Sequence, residues 1–144
     1  MKMTNSEMLR FIKYCLVGVL NTGVTLGVIF ITKSIIGLAP MLCNALGYTA
    51  GVINSFLWNK AWVFRSKGGY RGEAARFLLG FAICYAIQFA AVWALTTSDF
   101  GDVEYNIGFM VISGYGIATL AGNVLYTVCN FIYNRLVTFR TAKH

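Results

Sequence analysis

The chain has 144 residues, of which 58% are hydrophobic, 12% are charged and only one is proline, and its formal net charge is +7. Soluble domains run at roughly 45–50% apolar and about 25% charged, so this composition excludes a soluble domain and predicts a membrane protein. The positive charge then reads as topology and not as affinity for nucleic acid.

A transmembrane helix needs about 20 mostly apolar residues. Four windows qualify, at about 11–35, 41–64, 76–97 and 105–134. The first opens RFIKYCLVGVLNTG at residue 10 and carries Asn21; it is too long for the core of a signal peptide and has no small-x-small cleavage site at its end. The second ends in NSFLWNKAWVFR, residues 54–65, and holds Asn44, Gly51, Asn54, Ser55 and Trp58. A short basic linker, RSKGGYRGE, follows at 65–73. The third window opens RFLLGFAIC at residue 76 and carries Gln88, and a longer loop, TTSDFGDVEYN, leads to the fourth. That window places Asn123, Asn130 and Asn134 at i, i+7 and i+11, on one helical face with Tyr126 and Thr127, and closes in CNFIYNRLVTFR, residues 129–140. The expected fold class is all-α, a polytopic membrane protein of four transmembrane helices.

Bases in short loops stay on the cytoplasmic side. Lys2, Arg10 and Lys13, then Lys60, Arg65, Lys67, Arg71 and Arg76, then Arg135, Arg140 and Lys143 fall on one face, leaving Lys33 on the other with Asp99, Asp102 and Glu104. Both termini are therefore expected in the cytoplasm, with the basic face against anionic lipid headgroups.

The chain also repeats itself. Arg10-Phe11 corresponds to Arg76-Phe77 and Asn21 to Gln88, while Asn59-Lys60 corresponds to Asn134-Arg135 and Phe64 to Phe139. We read a single four-helix domain over 1–144 built from two helical hairpins, about 10–65 and 76–140, joined by a linker at 65–75. Both hairpins enter and leave on the same side, so they are parallel in orientation, and a ligand site is expected where the halves meet.

The positions of polar residues narrow the function. Glu7 and Glu73 sit at the cytoplasmic edges and the other three acids lie outside the spans, so the intramembrane carboxylate of a proton-coupled exporter is missing. The one histidine is His144, and neither a Ser/His/Asp nor a Cys/His set can be assembled. No enzyme, cofactor or metal site is expected. Cys15, Cys43, Cys84 and Cys129 fall one per span and read as packing residues. Gly18, Gly23, Gly27, Gly47, Gly51, Gly114, Gly116 and Gly122 read as points of close helix approach. Asn21 and Gln88 suit either helix-to-helix hydrogen bonding or the lining of a polar path. The paired positions suit an anion site: Lys60 and Arg135 supply charge to a phosphate, Asn59 and Asn134 supply amide hydrogens, and Trp58, Trp62 and Tyr133 offer flat faces to a sugar. The other reading of Trp62 is an interfacial aromatic belt.

The opening RFIKYCLVGVLNTG, the N-x-x-x-x-N-K-x-W-x-F pattern over 54–64 and the closing N-R-x-x-T-F over 134–139 together resemble the GtrA family of small four-span membrane proteins, over residues 10–140. The resemblance implies a translocase that moves a polyprenyl-phosphate-linked sugar from the cytoplasmic to the outer leaflet of the bacterial inner membrane. There a separate membrane glycosyltransferase uses it to decorate polymers such as O-antigen or teichoic acid. It carries this role onto Asn21, Asn59, Lys60, Trp62, Asn134 and Arg135, and the polar faces add Asn54, Asn123, Asn130 and Gln88 as substrate-binding candidates. Lys60 departs from the family pattern, in which Arg is common. Expected partners are the lipid-linked sugar, membrane lipids, a glycosyltransferase and further copies of the chain, with no nucleic acid. Two other readings are a subunit that docks a glycosyltransferase without transporting, and a small multidrug exporter.

Overall fold

The computed structural model describes residues 4–98, 103–106, 108 and 111–140; Lys2, Asp99, Asp102, Lys143 and His144 lie outside them. Four long helices dominate: α1 Asn5–Phe30, α2 Pro40–Trp58, α3 Tyr70–Thr96 and α4 Gly114–Tyr133. Three of these helices continue without a break into wider π turns, Ile31–Ile35 after α1, Asn59–Val63 after α2 and Asn134–Thr138 after α4. Local chemistry sets the starts. Glu7 reaches back to the Thr4 N–H (3.2 Å) ahead of α1, Pro40 occupies the first turn of α2, and the Ser113 hydroxyl accepts from Gly116 N at 3.1 Å ahead of α4. The first π turn closes on Gly37, at φ 77°, with Leu38 N donating to Thr32 O; the second closes on Arg65, a non-glycine residue at φ 50°, with Ser66 N donating to Lys60 O.

Three expectations are corrected. The described residues are not all helical, since Glu104–Asn106 (β1) and Val111–Ser113 (β2) pair antiparallel, Tyr105 opposite Ile112. The fourth helix accordingly begins at Gly114, not near 105, and α3 begins at Tyr70, not near 76. Three of the helices, Asn5–Ile35, Tyr70–Thr96 and Gly114–Thr138, are long and apolar enough to cross a membrane. α2 carries Asn44 near its start and Asn54 and Ser55 near its end.

The described residues divide into two compact units, one within residues 4–69 and one within residues 70–140. In the first, α1 and α2 pack antiparallel, with successive contacts at Lys13–Trp62, Asn21–Asn54 and Thr25–Gly51. In the second, α3 and α4 do the same, with Phe77 against Phe139, Gly80 against Tyr133 and Gln88 against Asn123. Burial is inverted relative to a soluble protein. Val19, Met41 and Phe89 are 73%, 85% and 64% exposed, whereas Asn59, Glu73, Asn134 and Thr138 are between 0 and 2% exposed. Such a surface is stable only where hydrocarbon replaces water.

The glycines separate into two groups. A Cβ on Gly47 would lie 2.5 Å from Ile29 Cγ1 and 2.9 Å from the Thr25 carbonyl, and one on Gly51 or Gly122 would overlap Thr25 or Val92. These three permit close helix approach. Around Gly18, Gly23 and Gly27 nothing lies within 4 Å, so their expected packing role is not met among the described residues. Gly80, which the sequence did not single out, receives the Tyr133 ring. Gly47→Leu should therefore lower the detergent unfolding temperature sharply, because backbone as well as side chain must move. Gly18→Leu should leave it within a few degrees, and equal losses for the two would contradict this packing.

Candidate functional site

The ten candidate residues fall into two groups. Four bind one another within their hairpins. Asn54 Nδ2 donates to Asn21 Oδ1 at 2.7 Å, joining α1 to α2, and Gln88 Nε2 donates to Asn123 Oδ1 at 2.7 Å, joining α3 to α4. Of the two readings open for Asn21 and Gln88, these bonds favour helix-to-helix attachment. Amides that would be costly alone in hydrocarbon become mutual partners.

The second group gathers on the π turns. In the first hairpin Asn59 is 1% and Lys60 5% exposed. Asn59 Nδ2 lies 2.8 Å from Ser55 O and 3.2 Å from Ser55 Oγ, so its nitrogen is committed to its own helix. Its Oδ1 is buried and has no hydrogen-bond partner among the described residues. Lys60 Nζ donates to the Gly68 carbonyl at 2.6 Å, which ties the basic linker to the helix end. Trp62 lies beside them with Lys13 Nζ 5.3 Å from its ring centre and Trp58 edge-on at 6.1 Å. A cation thus occupies one face of the ring that the sequence offered to a sugar.

In the second hairpin a polar ladder descends one face of α4. Asn134 Nδ2 donates to Asn130 Oδ1 at 3.3 Å, and Asn130 Nδ2 donates to the Tyr126 hydroxyl at 3.2 Å. Tyr126 is held edge-on by Phe81, ring centres 6.0 Å apart. Asn134 is completely buried, and its Oδ1, like that of Asn59, has no partner among the described residues; Arg135, the next residue, is half-buried. The same turn carries Thr138, 0% exposed, whose hydroxyl is also unpaired.

These bonds change the chemistry expected of the amides. Asn59 and Asn134 were to donate hydrogens to a phosphate, but Asn59 Nδ2 is bound to two oxygens of Ser55 and Asn134 Nδ2 gives one of its two hydrogens to Asn130, while both carbonyl oxygens have no partner among the described residues. A carbonyl accepts, so its partner is a hydroxyl or another N–H or O–H donor, while a phosphate is left to the cations. Two residues escaped the sequence reading. Thr138 stood inside the quoted N-R-x-x-T-F pattern without a role, and Glu73, taken as an edge residue, is 2% exposed in the first turn of α3.

Long helices with lipid-compatible outer faces and polar side chains turned inward define an integral membrane protein with several apolar helices. The chain belongs to the family described as GtrA/DPMS, transmembrane domain, which matches residues 13–139. It is 31% identical over 130 residues to the "Uncharacterized membrane protein YngA" of Bacillus subtilis (strain 168), covering 88% of this chain and 77% of that protein. It is 26% identical over 133 residues to the "Bactoprenol-linked glucose translocase" of Shigella phage SfV, covering 92% of this chain and 97% of that protein.

The amide pairs make a thermodynamic prediction. Asn21→Leu and Asn54→Leu should each destabilise the protein in detergent by leaving the other amide without its partner, and the double variant should lose less than the sum. The coupling from the double-mutant cycle should be about 0.6–1.7 kcal/mol, the span measured for hydrogen bonds inside membranes. Strictly additive losses would remove the bond from the account.

Proposed function

We propose that this protein translocates a polyprenyl-phosphate-linked sugar from the cytoplasmic to the outer leaflet of the bacterial inner membrane, for glycosylation of a cell-surface polysaccharide. One observation carries the reading. Each hairpin ends α2 or α4 in a π turn that carries a buried amide oxygen with no partner among the described residues and, at the next position, a cation, Asn59 then Lys60 and Asn134 then Arg135. Acceptor next to cation suits a ligand that is hydroxylated at one point and anionic at another, and a sugar phosphate is both. Membership of the GtrA/DPMS family and likeness to a bactoprenol-linked glucose translocase support that ligand class.

The reading assigns the topology as well. α2 crosses with the other three helices, its amides tolerated because Asn54 is bonded to Asn21, and both termini lie with the basic face in the cytoplasm. The lipid tail stays in hydrocarbon, so the protein need only carry the headgroup. Outward movement of one negative charge against an inside-negative potential is favourable by about 2.3 kcal/mol per 100 mV, so neither a coupling ion nor bond chemistry is required. A membrane glycosyltransferase acting on the product outside keeps the flow one-way; O-antigen and teichoic acid are polymers of the kind served. A purely docking subunit would turn its amides toward partner helices, whereas Asn21, Asn54, Gln88 and Asn123 are bonded within their own hairpins.

Reconstitution tests the reading. Proteoliposomes should exchange polyprenyl-phosphate glucose between leaflets faster than protein-free vesicles. Lys60→Gln and Arg135→Gln should each slow exchange about tenfold or more, the scale of one charge-assisted hydrogen bond, and the double variant should be slower still. Gln can still donate to the Gly68 carbonyl, so the fold should persist by circular dichroism. Exchange at the protein-free rate, or at the wild-type rate in both variants, contradicts the proposal.

A further inference from the structure

The two π turns are not equivalent, and the difference lies at their fifth residue. Position 63 is valine and position 138 is threonine, each buried, at 3% and 0% exposure. The hydroxyl is therefore not a requirement of the π turn, since the first turn forms without one.

Its bonding state is also unlike that of most helical threonines. Thr22, Thr49, Thr119 and Thr127 each donate to the carbonyl four residues earlier, at 2.7–3.2 Å, the usual way a hydroxyl is satisfied in an apolar helix. For Thr138 that carbonyl belongs to Asn134, which accepts from Phe139 N at 2.8 Å. Thr138 does not back-bond to it, and its Oγ1 has no partner among the described residues. Asn134 Oδ1, the other buried side-chain atom without a partner among the described residues of this hairpin, belongs to a side chain four residues earlier, and in a turn closing on the fifth residue such positions lie side by side. Both side chains are completely buried.

We propose that Asn134 Oδ1 and Thr138 Oγ1 form a hydroxyl-recognising subsite that reads the sugar of the lipid-linked substrate, with Thr138 as a specificity-determining residue. The inference rests on the translocation reading. An amide oxygen only accepts, whereas a threonine hydroxyl both donates and accepts, so the pair matches a group with the same dual character, such as one or two adjacent sugar hydroxyls. It matches a fully ionised phosphate less well, since that brings no donor for Asn134 Oδ1. The first hairpin offers one such acceptor, Asn59 Oδ1, with a methyl-lined neighbour at Val63, so sugar selectivity is assigned to the second hairpin.

The test measures binding of two probes, polyprenyl phosphate with and without glucose, to the full chain in lipid nanodiscs. Wild type should bind the glucosylated carrier more tightly. Thr138→Val, which installs the residue found at the matching position of the first hairpin, should weaken glucosylated-carrier binding about three- to tenfold and leave the bare carrier unchanged. Thr138→Ser should retain the preference. The proposal is overturned if Thr138→Val keeps the preference, as it would if the two atoms merely hold a buried water. It is also overturned if that variant weakens both probes equally, as a packing defect would. Equal wild-type affinity for the two probes sinks this inference alone, whereas no wild-type binding of either sinks the translocation reading with it.

Discussion

Hydrocarbon supplies no hydrogen bonds, and the structure is organised by that constraint. A buried donor or acceptor without a partner costs about 1–3 kcal/mol, so a chain in a bilayer must satisfy its polar groups internally or hold them for a ligand. Most are satisfied locally. Threonine hydroxyls fold back on their own helices, and Asn21–Asn54 and Gln88–Asn123 join the two helices of each hairpin. Against that background the three buried, unpaired side-chain atoms among the described residues, on Asn59, Asn134 and Thr138, stand apart, and all three lie on π turns.

The π turns bring these atoms onto short, matching segments. Each closes on a wider ring, so that Asn59 O and Asn134 O accept from Phe64 N and Phe139 N, five residues on. Each turn thereby presents a short run of polar groups in one place. In both hairpins that run includes an amide followed by a base, Asn59-Lys60 and Asn134-Arg135. The buried lysine also binds the linker through the Gly68 carbonyl, so the cation is fixed in position and not left on a mobile stem. A positioned charge beside a positioned acceptor is what recognition of a sugar phosphate needs; the translocation reading adds only that the tail remains in lipid.

Much of this was legible in the sequence, for physical reasons that can be named. Long apolar windows locate helices because a bilayer demands them, and the spacing of Asn123, Asn130 and Asn134 placed them on one face, where Asn130 and Asn134 are bonded. What could not be read depends on distances between helices. Amide composition shows that Asn21 and Gln88 need partners but not that Asn54 and Asn123 provide them. Glycine composition does not separate Gly47, against the Thr25 backbone, from Gly18, which faces open space. The π turns left no periodic signature over five residues, and without them the free carbonyls of Asn59 and Asn134 and the orphaned Thr138 hydroxyl could not be anticipated. The strand pair was hidden because Glu104–Asn106 falls at the end of a polar loop and Val111–Ser113 in an apolar run that reads equally well as the start of a span. Glu73 was misjudged because its position near a helix start suggested exposure, whereas packing buries it.

The central claim is that the amide oxygens of the π turns, and not the paired amides between helices, meet the headgroup. The most direct measurement is the set of side-chain amide resonances of asparagine-labelled protein in bicelles, titrated with polyprenyl-phosphate glucose. The account predicts saturable shifts at Asn59 and Asn134 with Asn21 and Asn54 unmoved. Shifts confined to Asn21 and Asn54, with Asn59 and Asn134 unchanged at saturation, would contradict it.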